Sequence, residues 1–294
     1  MSRRLTLGIV FACLAAPPTF VLATGAPWYL HHRASSVVTI DAEDHDYLVH
    51  LPRGYDGSKP LPLVMSLHGA ASWPSFQQDV TGWNGVADRY GFIVAYPGGQ
   101  GVALKVFSQR EAAFIAALID RLQASFNIDS ARIYVNGLSN GAGMSDLLSC
   151  VMADRIAAIG AVATALTMTS EKCASARPMP MIAFHGTADP VTRYEGGKVF
   201  IAPDPFPSIT GWLSKWARRN QCSPSPTERP VGGAVTRIEY ENCAEPVVFY
   251  RMEGGGHTWP GGVPLPAWFA GPTSNSINAS ELMWQFFEAH PKHR

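Results

Sequence analysis

The sequence is short of charge. Lys and Arg number 23, Asp and Glu number 23, and together they are 16% of 294 residues. Soluble domains usually carry about 25%. The two signs cancel, so there is no basic field to draw nucleic acid and no acidic tail. Cysteine is scarce too, with five in all. Their spacings do not match a zinc finger, so no metal site is expected. No internal repeat is visible. At 47% the apolar share is too high for a disordered chain.

Glycine and proline are plentiful instead, at 27 and 23. Together they stay below the roughly 25–30% that marks low complexity. The length allows one large domain or two small ones, and it can bury a core without staples. The composition describes a globular protein with uncharged, loop-rich segments.

The N-terminus reads as an export signal covering residues 1–23. Arg3 and Arg4 form a basic start, and no charged side chain follows from Leu5 to Leu30. Leu5 to Ala16 has the length of a signal-peptide core. Val21-Leu22-Ala23 offers a small-x-small cleavage site. A membrane anchor is the rival reading, although Pro17-Pro18 interrupts it. Lipidation at Cys13 is a third, disfavoured by Phe11. The expected location is secreted or periplasmic. Export leaves Cys150, Cys173, Cys222 and Cys243, an even number that suggests disulfides. Three pairings are open, beside four reduced thiols.

After the signal, Asp46–Leu51 alternates polar and apolar residues as a half-exposed strand does. Short apolar runs follow at Leu63–Leu67, Phe92–Tyr96, Ile133–Val135, Ile156–Val162, Met181–Phe184 and Val247–Tyr250. Such runs suit buried parallel strands. Helical patterns lie between them, at Glu111–Phe126, Asn140–Met152, Ile209–Arg219 and Ala279–Ala289. Alternating strands and helices predict an α/β domain with a mostly parallel central sheet flanked by helices. No break in composition marks a second domain, so residues 24–294 read as one.

Gly137-Leu138-Ser139-Asn140-Gly141 lies between a strand and a helix, the context of a G-x-S-x-G nucleophile elbow. The turn lifts the serine hydroxyl clear of the sheet. Glycines on both sides avoid a clash, and the helix that follows aims its amides at developing negative charge. A serine nucleophile needs a base and an orienting acid, in the chain order Ser, Asp, His. Asp189 follows the strand Met181–Phe184, and His257 follows Val247–Tyr250. Both lie at C-terminal strand ends, where open α/β sheets place their sites. The other histidines read as surface, tail or loop support, with His31, His32, His45 and His50 on the surface, His290 and His293 in a solvated tail, and His185 buttressing a loop. An oxyanion hole needs two backbone amides. Asn140 supplies one. Ala70, in His68-Gly69-Ala70-Ala71, supplies the other, with Ala71 as the alternative.

These motifs resemble the polyhydroxybutyrate depolymerase-type esterases, a clan that includes feruloyl and acetylxylan esterases. The likeness is carried by Leu63–Gly69, Thr81–Asn84, Ala87–Pro97, the Ser139 elbow, His185–Asp189 with Tyr194-Glu195-Gly196-Gly197, and Gly254–Gly262. It spans about residues 37 to 291. It implies an α/β-hydrolase fold, a triad of Ser139, Asp189 and His257, the pairs Cys150–Cys173 and Cys222–Cys243, and no cofactor. The implied activity is hydrolysis of carboxylic esters through an acyl-enzyme. The implied substrates are small esters, polyesters or acylated plant polysaccharides, with no obligate protein partner. The chain departs from the family in the short stretch Gly98–Lys105, in Arg110–Ala113, and at Gly141-Ala142. Tyr194 and Trp259 flank the triad and are candidate substrate contacts or loop scaffold. Trp83 reads as core. A non-catalytic binder and a peptidase on the same fold are the competing readings.

Overall fold

The computed structural model describes residues 36–40, 43–99, 109–166, 173, 177–198 and 205–292. The proposed signal segment lies outside them, as does most of the Gly98–Lys105 stretch. The strands are β1 (Ser36–Ile40), β2 (Glu43–His50), β3 (Leu61–Leu67), β4 (Ile93–Pro97), β5 (Ile128–Leu138), β6 (Ala158–Val162), β7 (Met181–Gly186), β8 (Thr227–Gly232), β9 (Val235–Glu239) and β10 (Val247–Met252). The helices are α1 (Pro74–Thr81), α2 (Trp83–Tyr90), α3 (Gln109–Ser125), α4 (Asn140–Val151), α5 (Ile209–Arg219), α6 (Ala267–Ala270) and α7 (Ala279–Ala289).

The strands form one sheet in the order β1-β2-β4-β3-β5-β6-β7-β10-β9-β8. The six central strands, β4 to β10, run parallel, and antiparallel strands close each side. Parallel neighbours force long crossovers, which the helices supply. Side chains alternate across the sheet. Leu63, Met65 and Leu67 of β3 face one cluster with α3, α4 and α5, while Val64 faces another with α2 and α7. Both faces are covered, which is why the central strands read as unbroken apolar runs.

Capping residues set the helix boundaries. Ser208 accepts the Gly211 amide at the start of α5, and Asn278 accepts the Glu281 amide at the start of α7. Two disulfides join Cys150 to Cys173 and Cys222 to Cys243. Each closes a loop of just over twenty residues, a constraint on the unfolded chain that typically contributes about 2–4 kcal/mol.

Three sequence expectations change. His45 is buried and stacks on Phe114 with ring centroids 4.0 Å apart, so it is not a surface residue. His290 is half-buried, with Nδ1 2.6 Å from the Phe286 carbonyl. The region 74–90, read without helices, forms α1 and α2. Trp83 is fully buried, as expected of a core residue.

Candidate active site

The parallel strands bring three loops to one edge of the sheet. Ser139 follows β5 directly, Asp189 follows β7 and His257 follows β10. Backbone bonds run across that edge. Ser139 donates to the Val162 carbonyl at 2.8 Å, Ala163 to Phe184 at 2.9 Å, and Thr187 to Met252 at 2.9 Å. The ends of β5, β6, β7 and β10 are therefore level.

Ser139 has φ 54° and ψ −114°. This is a strained conformation for a residue with a Cβ, of the kind that persists only where the surroundings enforce it. Its flanking glycines have steric reasons. A Cβ on Gly137 would strike the Gly141 backbone, and one on Gly141 would strike the carbonyls of Leu67 and His68. The turn is thus packed against itself and against the end of β3. Helix α4 begins at Asn140, so the Asn140 amide is among those a helix leaves without an internal partner.

The His257 loop crosses the edge from β10 toward α1. The His257 amide donates to the Ala270 carbonyl at 2.6 Å, and Gly256 donates to Pro272 at 2.8 Å. Farther along, Val263 donates to the Val80 carbonyl of α1 at 3.2 Å. The loop is thus tied at one end to β10 and at the other to α1, which follows β3.

Asp189 is buried and every interaction it makes is directed. Its Oδ1 accepts the amides of Val191 and Thr192 at 2.8 and 2.7 Å. Its Oδ2 lies 2.8 Å from His257 Nδ1. A carboxylate oxygen accepts, so Nδ1 is the donor, and in the neutral ring Nε2 then bears no hydrogen.

His185 supports the same loop. Its Nε2 donates to the Thr192 carbonyl at 2.8 Å and stands 3.5 Å from Asp189 Oδ2. Burial pushes its pKa down to about 4, against the pull of Asp189. It therefore stays neutral and leaves the carboxylate charge to His257.

Of the two readings of Trp259, substrate contact or loop scaffold, its surroundings favour the scaffold. It is fully buried, and its Nε1 donates to Ser280 Oγ at 3.0 Å. Ser280 in turn donates to the Thr81 carbonyl at 2.7 Å. That chain anchors the His257 loop to α1 and α7. Tyr194 is half-buried against the α5-side core, and its ring lies 6.1 Å from that of His185. Ala70 is half-exposed beside the elbow.

Sequence reasoning missed a polar cluster beneath the Ser139 elbow. Ser66 Oγ donates to Asn136 Oδ1 at 2.9 Å, Gln77 Nε2 donates to Ser66 Oγ at 3.0 Å, and Trp83 Nε1 donates to Asn136 Oδ1 at 3.2 Å. All four are fully buried. The signal was present, because Ser66 interrupts the apolar run Leu63–Leu67 and Asn136 directly follows the apolar run Ile133–Val135.

Comparison with known proteins gives the family and the fold. Residues 45–199 match the model of the family described as Esterase PHB depolymerase, a span that holds Ser139 and Asp189 and stops before His257. Feruloyl esterase B of Piromyces equi is 31% identical over 232 residues, which are 71% of this chain and 42% of that protein. The chain thus spans less than half of that relative. A probable feruloyl esterase C of Aspergillus terreus is 25% identical, with 82% of this chain and 83% of that protein covered. Among solved structures, an acetyl xylan esterase from Aspergillus awamori superposes with TM-score 0.60 at 15% identity, covering 82% of this chain and 93% of that one. An S-formylglutathione hydrolase from Agrobacterium tumefaciens gives TM-score 0.55 at 10% identity, covering 86% and 93%. At those identities the structures speak for the α/β-hydrolase fold alone. The family match covers more than half of the sequence, and this chain belongs to the Esterase PHB depolymerase family.

Proposed function

We propose that the protein is an exported serine hydrolase of carboxylic esters that works through Ser139, His257 and Asp189. The observation that carries this reading is the buried 2.8 Å contact between His257 Nδ1 and Asp189 Oδ2, at the strand edge that also presents the strained Ser139. Asp189 holds the imidazole with Nε2 free. His257 then takes the Ser139 proton as the hydroxyl attacks the ester carbonyl. The amides of Ala70 and Asn140 receive the oxyanion. His257 returns the proton to the leaving alcohol, and water, activated by the same base, frees the acid.

The substrate proposal is a neutral ester with an apolar or aromatic portion, such as a feruloyl or acetyl ester of a plant polysaccharide or a hydroxyalkanoate oligomer. Trp268 and Phe269 are 87% and 55% exposed on α6, whose Ala270 carbonyl holds the His257 amide. They place aromatic surface at the rim. Export is supported by the two disulfides. No helix among the described residues is long and apolar enough to cross a membrane.

The test is Ser139→Ala, assayed with p-nitrophenyl butyrate, methyl ferulate, acetylated xylan and hydroxybutyrate oligomers. Turnover is expected to disappear on every ester the native protein hydrolyses. Native-level turnover in the variant would sink the mechanism. A clear preference for anionic esters would sink the substrate proposal.

A further inference from the structure

His68 lies at the end of β3 and takes no part in the proton transfers above. It is buried, yet both ring nitrogens are engaged. Its Nε2 accepts the Gly99 amide at 2.9 Å. An accepting Nε2 bears no hydrogen, so in the neutral ring the proton sits on Nδ1. Nδ1 lies 2.7 Å from the carbonyl oxygen of Gly69 and donates to it. Burial lowers the pKa of the ring and keeps it in this neutral form.

The other end of the clamp is fixed. The Gly98 amide donates to the Asp46 carbonyl of β2 at 2.7 Å, which holds the start of the loop after β4. The ring therefore bridges the β3 and β4 loops, and it pulls the Gly69 carbonyl to the β4 side. In a trans peptide the C=O and the next N–H point in opposite directions. The Ala70 N–H is thereby turned to the β5 side. Gly69 packs there, since a Cβ built on it would lie 3.6 Å from the Ser139 Cβ.

We propose that His68 is a positioning residue that sets the oxyanion hole, holding the Gly69–Ala70 peptide so that the Ala70 amide faces the carbonyl attacked by Ser139. This rests on the serine hydrolase reading and adds the residue that aims one of its donors. Simple loop closure would use either bond of the ring equally. Aiming the amide depends on the Nδ1 bond.

The two bonds can be separated. In His68→Asn the side-chain amide nitrogen occupies the place of Nδ1, so the bond to Gly69 is kept and that to Gly99 is lost. In His68→Gln the amide oxygen reaches the place of Nε2, so the bond to Gly99 is kept and that to Gly69 is lost. Losing an oxyanion donor outright costs about 100–1000-fold in kcat. A misaimed donor should cost roughly 10–100-fold. His68→Gln is therefore expected to lose kcat on p-nitrophenyl butyrate by that factor, with KM within about threefold. It should lose affinity for a trifluoromethyl ketone, which forms a tetrahedral oxyanion adduct, by a like factor. His68→Asn should remain within about fivefold of the native kcat. The proposal is overturned if the Gln variant turns over at the native rate, or if the Asn variant is as slow as the Gln variant. Should the Gln variant fail to fold, the Asn variant decides: a loss beyond tenfold in kcat overturns the proposal, and a rate within fivefold upholds it. Ser139→Ala is run alongside. Activity there would remove the hydrolase reading itself, whereas a dead Ser139→Ala with equal His68 variants removes only the role of His68.

Discussion

Ser139 and His257, the proposed nucleophile and base, are held by opposite means. Ser139 depends on a one-residue turn with φ 54°, enclosed by glycines whose absent side chains leave room for the backbone of α4 and β3. His257 sits in a stretch from Gly254 to Pro272 in which ten of nineteen residues are Gly or Pro. That stretch is braced at separate points, through Ala270, Pro272, Val80 and the Trp259–Ser280–Thr81 chain. The elbow concentrates strain where no atom can move. The base loop distributes its restraint over several bonds. A change at the elbow should fail abruptly, and a change in the base loop should weaken the protein by degrees.

The largest effect is expected at Gly141. A Cβ there overlaps two carbonyl oxygens, so Gly141→Ala must displace the elbow or the end of β3. Overpacking costs about 1–3 kcal/mol. A displacement near 1 Å at the reacting groups costs on the order of 100-fold in rate. The expected result is a lower Tm with kcat down about 100-fold. A variant with native kcat would show that the elbow has slack after all.

A smaller effect is expected at Trp259→Phe. The substitution removes the donor to Ser280 Oγ, and loss of a buried hydrogen-bond partner costs about 1–3 kcal/mol. Tm should fall by several degrees while kcat falls only a few-fold and KM holds. If KM rises sharply with Tm unchanged, Trp259 touches substrate and its scaffold role is wrong.

The effect expected to touch turnover least concerns the helix behind the elbow. Asp146 on α4 is buried, and desolvation pushes its pKa up to about 7, with Arg219 and Lys215 opposing. The folded chain then keeps a proton that the unfolded chain releases near pH 4. Stability contributed by the neutral carboxyl is full below about pH 4, is lost as pH rises toward 7, and changes little above it. Asp146→Asn should flatten that slope, leaving the variant more stable relative to native protein at pH 8 than at pH 4. Parallel Tm-against-pH curves for the two proteins would refute this.

The same contrast governs what a reader of the sequence could see. The elbow was legible because turn chemistry is local: five residues between a strand and a helix contain the whole reason for their spacing. The central strands were legible because burial on both faces leaves unbroken apolar runs. Helices α1 and α2 were not, since Gln77, Gln78 and Asn84 disturb their apolar pattern, and Gly82 at φ 65° separates them. The β8–β9 hairpin was missed because β8 is exposed along its length and carries Pro230, so it lacks a periodic apolar signal. His45 looked like a surface residue because nothing near it in the chain announces Phe114.

By itself the sequence determined the class of fold, the chain order Ser139, Asp189, His257, and the placing of each at a strand end. Those features follow from hydrophobic period and turn chemistry, which act over a few residues. Only the tertiary structure decided that Trp259 is buried and bonded to Ser280, that His185 is held neutral by burial beside Asp189, and that the His68 ring joins two loops. Burial and hydrogen-bond partners of those side chains come from segments tens to hundreds of residues away, and no local pattern encodes which segment will arrive.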